Sequence, residues 1–194
     1  MQKQRLAIFA SGTGSNAVNL INYFKEHEAV DVCFVLTNNP DAPIIKSATN
    51  LDVPVKTCTN EELADGGFIS GLCKSEKVDW IILAGYLRLI PTKLINQYPD
   101  RIINLHPSLL PKYGGKGMYG SKVHSKVLEN KESKTGITIH FVDEQFDTGK
   151  IIAQFSFEIL KEDTLSNIQS KISELEQRKL PTVVENTITS FIQE

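Results

Sequence analysis

The sequence predicts an α/β protein with a Rossmann-like, doubly wound and mostly parallel β-sheet, helices on both faces of that sheet, and an antiparallel C-terminal part. Three observations lead to this prediction. Short apolar runs alternate with longer stretches of helical periodicity, a glycine-containing turn follows the first apolar run, and only a short loop separates the last two runs. Strand–helix alternation is typical of βαβ units, whose parallel strands are covered on both faces.

Seven apolar runs have the length of β-strands. They lie at 5–10, 30–37, 53–58, 78–84, 101–105, 135–142 and 151–159. The stretch "DEQFDTGK" alone connects the last two runs, and it is too short to hold a crossover helix. We therefore expect these two strands to be antiparallel.

Helical patterns fill the gaps between the strands. They lie at 15–28, 43–50, 61–76, 91–98, 118–131, 164–178 and 181–193. The third pattern is the weakest, because it contains Gly66, Gly67 and Gly71, and each glycine costs about 1 kcal/mol in a helix interior. Pro181 is predicted to break the C-terminal pattern and to start the last helix.

Composition and charge restrict the class of protein. No repeat, low-complexity tract or linker divides the 194 residues, so we expect a single domain over 1–194. The formal net charge of −2 argues against nucleic acid or an anionic membrane as the main partner. The N-terminal apolar stretch is too short for a membrane span and unlike a signal peptide. Three cysteines without a CxxC pair are typical of free thiols in a reducing compartment, so we expect a cytoplasmic protein.

The motif "FASGTGSN" joins the first strand to the first helix. Gly12 and Gly14 permit a tight turn and close approach of the backbone to a ligand, and the amides of the following helix N-terminus suit a phosphate. A plain turn capped by Ser15 is an equally good interpretation at this point. The motif is neither GxGxxG nor a Walker loop, and no acidic residue ends the second strand, which argues against NAD binding.

The motif "INLHPSLLP" places Asn104 and His106 at the end of a strand. Side chains two positions apart on a strand face the same side, so an amide donor and a titratable imidazole would share one cleft. Pro107 and Pro111 cannot continue a central strand, so a loop follows at once. A lone histidine is often only bonded to backbone, but Asn104 and the two prolines favour a catalytic role.

The loop "VDEQFDTGK" contains three acidic residues, and such a loop is usually just solvated. Asp147, close before Gly149, could nevertheless approach His106, because ligand sites cluster at the carboxyl ends of the strands. His140 could face either the core or the cleft, and His124 is expected to serve packing or to tether a loop. Neither a metal-ligand spacing nor a nucleophile elbow is present in the sequence, so we expect no metal and no covalent intermediate.

Four motifs occur in an order that resembles the phosphoribosylglycinamide formyltransferase family: "SGTGSN", "LAGYLRLIP", "NLHPSLLP" and "HFVDEQFDTG". The resemblance spans nearly the whole chain and implies the formyltransferase fold. It also implies transfer of the formyl group of 10-formyltetrahydrofolate, as co-substrate, to the amine of glycinamide ribonucleotide in de novo purine biosynthesis. The implied partners are these small molecules, with no nucleic acid and no membrane, and the implied state is a monomer or a homodimer.

The resemblance also implies roles for individual residues. The catalytic residues would be Asn104, His106 and Asp147. The substrate phosphate and ribonucleotide would contact Ser11, Gly12, Thr13, Gly14, Ser15, Asn16 and Glu176. The folate would contact Arg88, Leu89, Ile90, Asn104 and His140. The Leu110–Pro111 bond is implied to be cis, while Ser173 and Lys150 depart from the family pattern.

Three alternatives remain open from the sequence. One is a hydrolase that releases formate from the same folate, and another is a different folate-dependent formyltransferase, such as one acting on tRNA. The resemblance implies an extra N-terminal domain for such hydrolases and an extra C-terminal domain for the tRNA enzymes, and neither is predicted within 1–194. The third is a non-enzymatic Rossmann-type nucleotide-binding module, which leaves Asn104, His106 and Asp147 without a purpose.

Overall fold

The computed structural model describes residues 2–193, and its centre is a mixed, seven-stranded β-sheet. The strands are β1 (Gln4–Phe9), β2 (Val30–Thr37), β3 (Val55–Thr57), β4 (Trp80–Leu83), β5 (Ile102–His106), β6 (Lys134–Phe141) and β7 (Ile151–Glu158). Their order is β3-β2-β1-β4-β5-β6-β7, parallel from β3 to β5 and antiparallel for β6 and β7. The predicted fold class, including the antiparallel C-terminal part, is confirmed.

Helices cover both faces of the sheet. They are α1 (Ser15–Phe24), α2 (Ile44–Thr49), α3 (Asn60–Asp65), α4 (Gly67–Ser75), α5 (Thr92–Gln97), α6 (Ser121–Glu129) and α7 (Leu165–Gln193). Successive residues of a strand face opposite sides, so β1 supplies Leu6 and Ile8 to one core and Ala7 and Phe9 to the other. The first core packs against α1, α2 and α7, and the second against α3, α4 and α5.

The strand order creates a crevice at one edge of the sheet. From β1 the chain proceeds to β2 and β3, and it then returns to place β4 on the other side of β1. In an open α/β sheet, ligands bind outside the carboxyl ends of the strands at such a switch point. The segments that follow β1, β4 and β5 therefore meet where a ligand site is expected.

The single helix predicted at 61–76 is wrong, because two helices meet at Gly66. This glycine has a φ of 67° and ends α3 in the left-handed conformation before α4 begins. A capping box starts α3: Thr59 Oγ1 accepts a hydrogen bond from the Glu62 amide, and Glu62 Oε2 accepts one from the Thr59 amide. The glycines that weakened the helical pattern therefore mark a real boundary.

The predicted helix break at Pro181 is also wrong, since α7 continues through this residue. Proline has no amide hydrogen, so the carbonyl of Gln177 loses its partner within the helix. That carbonyl instead accepts a hydrogen bond from Asn19 Nδ2 on α1 at 2.6 Å. Leu180 and Val184, on either side of the proline, are buried in the core, and their packing holds the helix together.

Several other elements are shorter than their sequence patterns; α1, for example, ends at Phe24 and not at residue 28. The strand predicted at 53–58 is reduced to the three residues of β3, because Pro54 cannot donate to a sheet ladder and its carbonyl only accepts from Val35. The helix predicted at 118–131 begins at Ser121, after Gly120 with φ 56° and ψ −138°. None of these changes in element boundaries moves a predicted site residue out of its helix or strand.

Candidate active site

A cleft of about 770 Å³ opens at the carboxyl ends of β4 and β5. One wall is the segment 83–90 at the end of β4, and the loop 115–121 and residues of α7 also line the cleft. The predicted site residues in its lining are Asn16, Arg88, Leu89, Ile90, Asn104, His106, His140, Asp147 and Glu176. The fold therefore gathers residues from both ends of the chain around one space.

The end of β5 positions two of these side chains. Asn104 and His106 occupy alternate positions of the strand, and in the antiparallel register Asn104 lies opposite His140 on β6. His140 Nδ1 donates to the Phe141 carbonyl at 2.7 Å, so its Nε2 is free to accept from Asn104 Nδ2 at 3.0 Å. The predicted common face of Asn104 and His106 is confirmed, and His140 faces the cleft.

Asp147 lies in the loop between β6 and β7 and points back toward β5. Its Oδ2 lies 3.4 Å from His106 Nδ1 and accepts from the Gly115 amide at 2.9 Å. Its Oδ1 lies 3.4 Å from Asn104 Nδ2 and 3.7 Å from His140 Nε2. One carboxylate thus joins the three polar side chains at the strand ends, which a merely solvated loop residue would not do.

The electrostatic balance keeps Asp147 charged. Burial alone would raise the pKa of this carboxyl group. The neighbouring imidazoles of His106 and His140, the charge of His106 and the Gly115 amide outweigh the burial and hold the pKa of Asp147 well below its ordinary value. The cleft therefore contains a fixed negative charge beside the imidazole of His106.

His106 is 3% exposed, and its two ring nitrogens have different partners. Nε2 lies 2.8 Å from the Tyr113 carbonyl, while Nδ1 faces Asp147. A carbonyl oxygen only accepts hydrogen bonds, so Nε2 carries a proton. Nδ1 is then the nitrogen that can gain or release a proton.

Asn16 and Glu176 form a second polar pair in the cleft. Asn16 Nδ2 donates to Glu176 Oε2 at 2.8 Å, which ties the start of α1 to α7. Burial raises the pKa of Glu176, although the bond from Asn16 and the charge of His106 oppose this shift. Asn16 Oδ1 is buried without a partner, so this pair has an acceptor to offer to a ligand.

The glycine-containing turn lies next to the cleft rather than in its lining. Among residues 11–16, only Asn16 lines the cleft; Gly12, Thr13 and Ser15 are exposed. Gly14, with a φ of 72°, is the N-cap of α1, and no side chain caps this helix. The alternative of a turn capped by Ser15 is therefore wrong, and the first amides of α1 have no side-chain acceptor.

The Ser11 side chain forms hydrogen bonds to two neighbouring segments. Its Oγ donates to Asn38 Oδ1 at 2.9 Å and accepts from the Leu87 amide at 3.2 Å. These bonds connect the turn after β1 to the segments after β2 and β4. Ser11 therefore supports the wall of the cleft that contains Arg88, Leu89 and Ile90.

That wall is mainly apolar. Ile90 is buried, whereas Leu87 and Leu89 are about half exposed although they line the cleft. Exposed leucines beside a cleft are typical of a surface that binds a ligand with apolar parts. Arg88 is exposed between them and adds a positive charge at the rim.

The lining also contains Tyr86, which the sequence analysis did not name, and His124, for which it expected packing or the tethering of a loop. Within residues 2–193, the buried polar side-chain atoms without a partner include the Tyr86 hydroxyl, His124 Nδ1 and Asn16 Oδ1, and all three residues line the cleft. Each such group costs about 1–3 kcal/mol, so their cluster is typical of a binding site. Burial, aided by the charge of His106, lowers the pKa of His124 and keeps it neutral. Tyr86 directly precedes "LRLI", a signal that could have identified it.

No group of three or more His, Cys, Asp or Glu residues between 2 and 193 is arranged to hold a metal ion. None of the helices in that range is both long and apolar enough to cross a membrane.

Comparisons with known proteins show which proteins the chain resembles. A family model described as "Formyl transferase" matches residues 4–184. The chain is 38% identical over 195 residues to "Phosphoribosylglycinamide formyltransferase, chloroplastic" of Arabidopsis thaliana, with 94% of this chain and 65% of that protein covered. It is 35% identical over 191 residues to "Phosphoribosylglycinamide formyltransferase" of Bacillus subtilis, with 95% of each covered. The chain thus spans less than two thirds of the plant relative.

A solved structure has the same fold. The crystal structure of phosphoribosylglycinamide formyltransferase from Bacillus halodurans matches with a TM-score of 0.86 and 33% sequence identity. The match covers 94% of each chain. The shared fold therefore extends over nearly the whole chain.

Proposed function

This chain belongs to the formyl transferase family, and we propose that it transfers the formyl group of 10-formyltetrahydrofolate to the amine of glycinamide ribonucleotide, a step of purine biosynthesis. The observation that carries this proposal is the convergence of Asn104 and His106 on Asp147 in one cleft. The relatives named phosphoribosylglycinamide formyltransferase support the same choice of substrates.

In the proposed reaction the amine attacks the formyl carbon directly. The carbonyl oxygen becomes an oxyanion in a tetrahedral intermediate, and the bond from the carbon to N10 of the folate then breaks. Asn104 Nδ2 and a protonated His106 Nδ1 can donate to this oxyanion. The distance of 3.4 Å from Asn104 Nδ2 to Asp147 is long for a hydrogen bond, so that amide hydrogen can turn to a ligand.

The reaction also moves one proton. The attacking amine becomes positively charged and must lose a proton, and N10 must gain one before tetrahydrofolate leaves. Asp147, as a charged and largely buried carboxylate beside His106, can pass a proton through water from the amine to N10.

The two substrates would bind on opposite sides of Asn104, His106 and Asp147. The uncapped amides that follow Gly12 and Gly14 at the start of α1 would bind the phosphate of the ribonucleotide. The pair of Asn16 and Glu176 would contact its ribose. The apolar wall at 87–90 suits the flat ring system of the folate, with His140 nearby. A formyl group between them would lie beside His106.

We also infer that 1–194 act as one catalytic domain, as a monomer or a homodimer, in the cytoplasm and without a metal. Three free, buried cysteines support a reducing compartment. The Arabidopsis relative is named chloroplastic, so a plastid is the alternative location.

A spectrophotometric assay of 10-formyltetrahydrofolate consumption tests the function. Tetrahydrofolate should form only when glycinamide ribonucleotide is present, and the formylated ribonucleotide should appear in equal amount. Release of formate at the same rate without the ribonucleotide would instead indicate the hydrolase. A protein that binds the ribonucleotide but consumes no folate would indicate the nucleotide-binding module.

A further inference from the structure

One short segment, residues 113–115, contacts both His106 and Asp147. The Tyr113 carbonyl accepts from His106 Nε2 at 2.8 Å, and the Gly115 amide donates to Asp147 Oδ2 at 2.9 Å. The segment 113–115 follows "HPSLLPK" and is distinct from the residues assigned to substrates. It therefore sets the orientation of the imidazole and of the carboxylate at the same time.

The backbone of Tyr113 is in an unusual conformation. Its φ is 58°, in the left-handed region that residues other than glycine, asparagine and aspartate rarely adopt. This conformation directs the carbonyl toward His106. A strained backbone beside a catalytic residue persists only when the surrounding contacts hold it.

The side chain of Tyr113 supplies such contacts. Its hydroxyl donates to Glu132 Oε1 at 2.9 Å and accepts from Asn130 Nδ2 at 2.8 Å. Lys112 Nζ also binds both Glu132 carboxylate oxygens, at 2.9 and 3.1 Å. The segment is thus tied to the turn between α6 and β6.

We propose that Tyr113 is a positioning residue whose left-handed backbone holds the His106 proton on Nε2 and reserves Nδ1 for proton exchange. The catalytic consequence rests on the proposed function, whereas the position of the proton is a property of the chain itself. With Nε2 bonded to the carbonyl, the imidazole takes and gives its proton only on the side of Asp147 and Asn104. Without that bond, the ring could present either nitrogen to the substrate.

Two substitutions of similar size separate the backbone conformation from the lost side chain. Tyr113→Val and Tyr113→Asn both remove the ring and the hydroxyl bonds. Asparagine tolerates the left-handed region, whereas a β-branched valine does not. We expect kcat of Tyr113→Val to fall on the order of 100-fold and that of Tyr113→Asn at least tenfold less, with both KM values within threefold of the wild type.

Nitrogen-15 NMR of His106 without substrates gives a readout that does not depend on activity. At a pH where the ring is neutral, the wild type and Tyr113→Asn should show the proton on Nε2, and Tyr113→Val should show a mixture of tautomers. A wild-type proton on Nδ1 would overturn the proposal, whether or not the variants fold. Equal losses of kcat in the two variants would also overturn it. A wild type with the Nε2 proton but no formyl transfer would count against the proposed function alone.

Discussion

Asp147 Oδ2 lies 3.4 Å from His106 Nδ1, and the two side chains are only 10% and 4% exposed. Because solvent hardly screens this pair, the charge of Asp147 acts on the imidazole more strongly than it would at the surface. The Gly115 amide holds the same carboxylate oxygen, so the pair keeps its geometry without a ligand.

Asp147→Asn should abolish most of the activity. The substitution keeps an oxygen for the Gly115 amide but removes the charge beside His106, so kcat should fall on the order of 100-fold or more, with little change in either KM. Steady-state kinetics with both substrates measures this. Asp143→Asn, in the same loop and hydrogen-bonded to Gln145 and Thr148, is the matched control and should retain kcat. Normal turnover of Asp147→Asn would return this residue to a structural role.

Asn104 and His106 should act on the same transition state. Asn104→Ala should lower kcat on the order of 10²–10³-fold, because one oxyanion donor is lost. His106→Ala should lower it on the order of 10²–10⁴-fold. Since both serve one step, the double variant should lose less than the product of the single losses. A strictly multiplicative loss would indicate that the two residues serve separate steps.

Gly12→Val tests the phosphate loop. A Cβ at Gly12 would have no other atom within 4 Å, so the variant should fold, whereas one at Gly14 would overlap Ile44 and would sit on a φ of 72°. We expect the KM for the ribonucleotide to rise at least tenfold, since the new side chain blocks approach to the amides, and the KM for the folate to stay unchanged. Equal increases for both substrates in a variant with a normal melting temperature would contradict a phosphate site here.

Glu176→Gln should stabilise the protein at neutral pH and weaken ribonucleotide binding. The pKa of Glu176 is raised in the folded state, so its stabilising effect exists below the unfolded pKa of about 4.3 and is lost as the pH rises through the folded pKa. Glutamine keeps an acceptor for Asn16 without the partly buried charge. We expect a melting temperature about 2 °C higher at pH 7.5 and no difference near pH 4. The exposed Glu174→Gln is the control, and a lower melting temperature of Glu176→Gln at pH 7.5 would refute the explanation.

Asn19→Ala tests how α7 tolerates its proline. The variant leaves the Gln177 carbonyl without its partner and should lower stability by about 0.5–1.5 kcal/mol in urea unfolding. In a Pro181→Ala background the new amide can bond to that carbonyl, so Asn19→Ala should then have a smaller effect. Equal effects in the two backgrounds would show that Asn19 does not compensate for Pro181.

The sequence by itself determined the features that depend on neighbouring residues. Strand–helix alternation predicts the doubly wound sheet, and the period of two along β5 predicts that Asn104 and His106 share a face; both are confirmed. The resemblance to phosphoribosylglycinamide formyltransferases, which rests on short motifs in a fixed order, is also confirmed by the family model and by the Bacillus subtilis relative. The roles of the individual site residues remain predictions.

Only the tertiary structure decided which distant groups meet. Asp147 reaches His106 because its loop folds over the end of β5, and the Tyr113 carbonyl reaches the same ring through a left-handed backbone that no local pattern predicts. Pro181 stays inside a helix because Asn19, far away in the chain, satisfies the freed carbonyl. Periodicity reports the faces of each element, but hydrogen bonds and burial between elements depend on how they pack, and this packing overrides local preference.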